Sequence, residues 1–198
     1  MTSVTRSASA ILLAATTIGS ISVAAPTGAS TSEVAINGVY TATSNGEWAM
    51  VNDRYQGHQT VISTWTISST CVHPLACAGT VTSSLGWTED IYKTETNWVV
   101  KHYVPDFIPC PDGTRAPGLQ YFRFYAANVD GMQMAQTDYF LGEDETTGVS
   151  GACGRNKSLV LNLPFKLLKN GSEPPLSGSG GGSAAGPGGS GGSTGAGI

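Results

Sequence analysis

Along most of this chain, like residues recur at every second position, and that period marks extended strands rather than helices. In "TVISTWTISS" (60–69) one face carries Ile62, Thr64, Thr66 and Ser68, and the other Val61, Ser63, Trp65 and Ile67. "TNWVVKHYV" (96–104) sets Trp98, Val100 and His102 against Val99, Lys101 and Tyr103, and "LQYFRFYAANV" (119–129) sets Phe122 and Phe124 against Tyr121, Arg123 and Tyr125. With "GVYTATS" (38–44), "AGTVTSS" (78–84), "GWTEDIYKT" (86–94), "MQMAQTDYFLG" (132–142) and "LVLNLPFKLLK" (159–169), eight strands are predicted. Only "GEWAMVNDRY" (46–55) suggests helix, and then for a turn or two.

Short strands divided by turn signals indicate an all-β domain. Joined in order by mostly short loops, the eight form an antiparallel meander. Closing it into a small barrel removes the exposed edges, and a β-sandwich is the alternative. In the barrel, Trp65 and Ile67, Trp98 and Val100, and Phe122 and Phe124 point inward, while Arg123 points outward. The segment "PDFIPCPDGTRAPG" (105–118) holds four prolines and two glycines, so it is expected to cross the surface or cap one end without ladder hydrogen bonds.

The ends of the chain differ from this pattern. Residues 1–24 carry Arg6, then an apolar and small-residue stretch around Leu12-Leu13, then Ser22 and Ala24 before "AP". That is the layout of a secretory signal peptide, and Ser, Thr and Gly interrupt it too often for a membrane span. Residues 25–35 are expected to be a flexible amino-terminal segment and 36–169 the β-barrel domain. Residues 170–198 are Gly/Ser-rich, with too little apolar surface to offset the entropy of ordering, and are expected to be a disordered tail. The expected location is therefore secreted: extracellular or in the cell envelope, with no membrane span after signal removal. The mature chain keeps all fourteen acidic and nine of the ten basic residues, a mildly acidic balance that argues against nucleic acid and against anionic membrane surfaces as partners.

Export decides how the cysteines are read. Cys71, Cys77, Cys110 and Cys153 all lie in the exported part, and an even count there implies disulfides. Four cysteines allow three pairings; proximity favours Cys71–Cys77, which leaves Cys110–Cys153. The Cys71–His73–Cys77 group lacks the second close ligand pair of a structural zinc site and the two-residue spacing of a redox motif. No metal and no cofactor is expected.

Candidate chemistry is sparse. "GEDETTG" puts Glu143, Asp144 and Glu145 in a row, which a calcium loop or the carboxylate pair of a glycoside hydrolase could use. A solvated loop is the plainer reading. His102 and Asp106 would form a dyad if the chain turned at Pro105, but no serine occupies a nucleophile elbow, and no catalytic residue is assigned. On these residues the chain leans toward a non-enzyme, and the question stays open. Aromatic residues pointing into a barrel either fill its core or line a ligand cavity. The candidate ligand contacts are Trp65, Trp98, Phe122 and Phe124, with the mouth at one end, partly rimmed by 105–118 and its tie through Cys110 to 148–156.

The run "STWTISSTC…CAGTVTSSLGW", continued by "PCPDGT", "RFY" and "GEDETTGVSGACG", resembles a group of small secreted proteins of mycobacteria and related actinomycetes. The resemblance spans most of 38–168 and implies an exported, disulfide-bonded β domain broadly like the calycin or lipocalin barrels, with no site residues to carry over. Its "NGVY" lacks the Trp of the lipocalin G-x-W signature, and the Gly/Ser tail sets it apart from the short members. Three function classes follow. The first is an exported non-enzymatic barrel that binds a small apolar ligand or an extracellular protein partner. The others are a structural or antigen-like envelope protein and a carboxylate-dependent hydrolase.

Overall fold

A computed structural model describes residues 34–176. The expected signal peptide at 1–24, residues 25–33 and the chain from 177 onward lie outside the described residues. Ten strands form one sheet: β1 (Gly38–Ser44), β2 (Met50–Val51), β3 (Arg54–Tyr55), β4 (Val61–His73), β5 (Ala76–Ser83), β6 (Thr88–Thr94), β7 (Asn97–Pro109), β8 (Arg115–Ala126), β9 (Tyr139–Gly148) and β10 (Val160–Lys169). All but β2 and β3 make an eight-stranded antiparallel barrel in the order β1-β4-β5-β6-β7-β8-β9-β10. It closes where Tyr40 pairs with Lys169 and Ser44 with Phe165. β2 continues along β10 beyond the end of β1, and β3 folds back on it.

Inward faces follow the alternation. Tyr40, Ala42, Trp65, Ile67, Trp98, Val100, Phe122, Phe124, Phe140, Phe165 and Leu167 are all buried in one cluster. Trp65 lies 4.9 Å from Phe122 and 5.3 Å from Phe165, centroid to centroid; Phe124 lies 5.5 Å from Phe165 and 5.9 Å from Phe140. These rings fill the middle of the barrel and divide its interior into two ends. Two inward glycines let the walls approach this closely. A Cβ on Gly142 would stand 1.9 Å from the Arg123 carbonyl oxygen, and one on Gly79 would stand 2.0 Å from that of Ser68. Glycine at such points allows the sharp bends that a small barrel requires.

Three expectations need correction. Residues 105–118 are not a ladder-free loop: β7 and β8 continue as a hairpin through Ile108↔Ala116 and Pro109↔Arg115, turning at Cys110–Thr114. The register shifts between Val104 and Ile108, so Pro105 lies in a bulge, and Pro109 and Pro111 lie at the tip; the prolines occupy places that tolerate a missing donor. The strand expected at 132–142 starts at Tyr139 instead. Buried Asn128 accepts hydrogen bonds on Oδ1 from the Asp130 and Met132 amides, at 3.1 and 2.9 Å, and this local turn carries the chain across one end of the barrel. The suggested helix at 46–55 is a single 3-10 turn at Gly46–Trp48, capped by the Asn45 side chain, followed by the β2–β3 ribbon.

Both disulfides form as proximity suggests. Cys71–Cys77 joins paired residues near the tip of the β4–β5 hairpin, and Cys110–Cys153 ties the β7–β8 hairpin to the loop after β9. At the Gly38 end, Ile36 lies buried against Ser69, whose Oγ accepts from the Ile36 amide and donates to its carbonyl. Residues 170–176 extend past β10 over the same end. The Asn170 amide donates to Val39 O, Ser172 Oγ donates to Asp138 Oδ2, and the Val129 amide donates to Pro175 O.

Candidate functional site

The four sequence-selected aromatics do not share one cavity. Trp65 and Phe122, 1% and 5% exposed, line a small chamber of about 50 Å³ toward the Ser44 end. Trp98 lines a separate, largely polar cavity of about 440 Å³ at the Gly38 end, beside Lys93, Asn37 and Asp138. Phe124 is fully buried between the two, in the packed middle.

The site that combines apolar walls with chemistry lies at the Ser44 end. Here the acidic run proves to be strand. As part of β9, residues 143–145 alternate: Glu143 and Glu145 face outward, 2.8 and 3.6 Å from Arg123, and Asp144 faces inward at 2% exposure. A solvated loop is therefore excluded for this segment. The inward face of β9 from Gly142 to Gly148 carries no large apolar residue, so its hydropathy resembled a loop's. Strand pairing to β8 and β10 on both sides overrides that.

Asp144 is held from two neighbouring walls. Its Oδ2 accepts from Ser44 Oγ of β1 at 2.6 Å, and its Oδ1 accepts from Gln120 Nε2 of β8 at 2.8 Å. Burial pushes its pKa up from 3.8 to about 6; the hydrogen bonds from Ser44 and Gln120 and the nearby His102 pull the other way without cancelling it. His102, from β7, is not paired with Asp106. Its Nδ1 lies 3.0 Å from Glu89 Oε1, and its ring stacks on Trp87 at 4.7 Å. Asp106 instead offers its backbone carbonyl to the Arg115 guanidinium, at 3.0 and 2.7 Å.

Above the chamber opens a cup of about 460 Å³. The two spaces share Val61, Leu85, Trp87, Gln120 and Asp144 as walls. Higher up, the cup is lined by Val104, Phe107, Leu161 and Leu163, with His102, His58, Gln59 and Thr146 adding polar points. Phe107 sits in the β7 bulge and lies against Gly118, where a Cβ would come within 2.7 Å of its ring. The proline-rich hairpin therefore supplies a wall of this mouth, while the 148–156 loop contributes no lining residue. Among the described residues lining the cup, Asp144 is the one carboxylate, so the carboxylate pair of a glycoside hydrolase has no second member there. Sequence inspection missed Ser44, Gln120 and Trp87. The signal available was the set of inward polar positions on strands otherwise apolar inside.

No family model and no curated protein matches the sequence. Among solved structures, one match is "Monomer form of M.tuberculosis PknI sensor domain", at 12% identity and a TM-score of 0.49, covering 74% of this chain and 93% of that one.

Proposed function

We propose that this protein is an exported, non-enzymatic barrel that binds one small, mainly apolar molecule in the cup at the Ser44 end. One observation carries the reading: an apolar cup of ligand size whose floor is a buried, hydrogen-bonded carboxyl group. Ligand sites are typically concave and apolar, with a few placed polar groups that fix orientation. Asp144, Gln120 and Ser44 supply those groups, and Trp87, Leu161, Leu163 and Phe107 supply the walls. Two disulfides fit an oxidising compartment outside the cytoplasm, in keeping with export under a signal peptide at 1–24. Of the aromatics chosen from sequence, Trp65 and Phe122 are proposed contacts through the chamber below; Trp98 and Phe124 stand away from this cup.

Titration of tryptophan fluorescence with small apolar compounds tests the proposal, because Trp87 lines the cup. A saturable change at one molecule per chain is expected. Leu161→Arg, which places a charge in the cup from a partly exposed position, should abolish it while leaving the melting temperature within a few degrees. No saturable change with any compound, or full binding by the Leu161→Arg chain, would sink the reading.

A further inference from the structure

Two buried residues with polar atoms, one a donor and one an acceptor, line the chamber beneath the cup. Trp65 lines it, and its Nε1, fully buried, has no hydrogen-bond partner among the described residues. A buried indole N–H left without an acceptor costs about 1–3 kcal/mol, so such a donor points to an acceptor that completes the site. Asp144 lines the same chamber. Each of its oxygens already accepts one hydrogen bond, from Ser44 and from Gln120, and each has a second lone pair. No Lys or Arg lines the chamber or the cup among the described residues.

We infer that the ligand is an alcohol: an apolar body lying in the cup, with a hydroxyl group seated in the chamber between Trp65 and Asp144. This rests on the cup being the binding site. A hydroxyl donates one hydrogen bond, here to the Asp144 carboxylate, and accepts others, here from Trp65 Nε1. An ammonium head offers donors only and leaves the indole unanswered. A carboxylate head answers the indole but brings a second negative charge against Asp144, in a setting where burial already works against the first. An ether accepts but does not donate. One water needs about 10–15 Å³ of cavity volume, so a chamber of about 50 Å³ has room for a hydroxyl group. The body then runs past Trp87 and Leu85 toward Leu161, Leu163, Val104 and Phe107, all walls of the cup.

Calorimetric titration of the full exported chain at pH 7.5 with four probes of matched length tests this: 1-octanol, heptyl methyl ether, octylamine and octanoate. Octanol should bind at least tenfold tighter than each of the others. Asp144→Leu, which removes the acceptor of the hydroxyl proton, should bring octanol and the ether to within about threefold of each other. Trp65→Phe, which keeps a ring and removes the N–H, should bring octylamine level with octanol or ahead of it, and either variant carries the test if the other fails to fold. Equal binding of all four probes would overturn the hydroxyl assignment and leave the cup standing. Tightest binding of octylamine would overturn it in favour of a cation at Asp144. Binding of none of them at millimolar concentration would remove the cup reading as well.

Discussion

Asp144 should make this protein more stable as the solution is acidified from neutrality, opposite to the usual behaviour of a carboxylate in a folded chain. Its pKa rises from 3.8 to about 6, chiefly through burial. Because the folded chain holds this proton more tightly than the unfolded chain, stability is gained as pH falls through 6 toward 3.8, and the cost of the buried charge is fully present above 6. A difference of this size corresponds to about 3 kcal/mol over the whole window, of which about 1 kcal/mol is recovered between pH 7 and pH 5. For a domain of this size, that is a rise of about 3–4 °C in Tm. The informative quantity is the comparison with Asp144→Asn, which keeps the shape and cannot ionise, because every other titration is common to the two proteins. Melting both proteins by circular dichroism at pH 7, 6 and 5 should show the wild type gaining those degrees relative to the variant. Parallel curves, or a wild type that loses ground as pH falls, would mean that Asp144 is solvated or paired with a cation. The account of the cup floor would then be wrong.

Three further outcomes follow from the packing. Ending the chain after Lys169 removes the hydrogen bonds of Asn170, Ser172 and Pro175 to the barrel and should cost about 2 kcal/mol in denaturant titration, whereas ending it after Leu176 should leave the midpoint unchanged. In the chain-entropy model, replacing Cys110 and Cys153 by serine should destabilise by about 4 kcal/mol, against about 2 kcal/mol for Cys71 and Cys77, since their sequence separations are 43 and 6. Gly142→Ala drives a methyl group into the Arg123 carbonyl and should cost at least about 3 kcal/mol or leave the chain insoluble; a variant melting near wild type would show that β8 and β9 can spread apart there.

Alternation disclosed which side chains enter the barrel, because burial on one face is a property of each strand taken alone. Trp65, Trp98, Phe122 and Phe124 face inward on that evidence. It could not disclose depth, which depends on register between strands far apart in sequence. Trp65 and Phe122 meet at 4.9 Å across the interior, while Trp98 sits against the other end, and nothing local to "NWVVK" distinguishes it. The same limit hid the carboxyl at the cup floor. Asp144 lies between two glutamates in a run that has no apolar residue to mark an inner face, and it becomes interior because β8 and β10 pair along both its edges. Its hydrogen-bond partner Ser44 is one hundred residues away in sequence.

That arrangement also gives the polar residues at this end a shared purpose. A barrel filled with aromatic rings from wall to wall would bury its apolar surface without needing a carboxyl group inside. Burying Asp144 costs stability above pH 6, and the neighbouring Trp65 donor is left unanswered among the described residues. An unanswered donor and a carboxylate whose charge burial disfavours, both on one chamber, are unfavourable for folding alone, and become favourable together when one small group accepts from the first and donates to the second. The cost in the free protein is then the source of selectivity in the bound one. Ligands lacking either half of that pairing leave a buried group unsatisfied, the condition under which a site rejects close analogues most strongly. Replacing both groups, as Trp65→Phe with Asp144→Leu, should erase the preference for octanol over its ether and abolish the gain in stability between pH 7 and pH 5. A double variant that keeps the preference would show that these two groups do not set the selectivity, and one that keeps the gain would show that Asp144 is not its source.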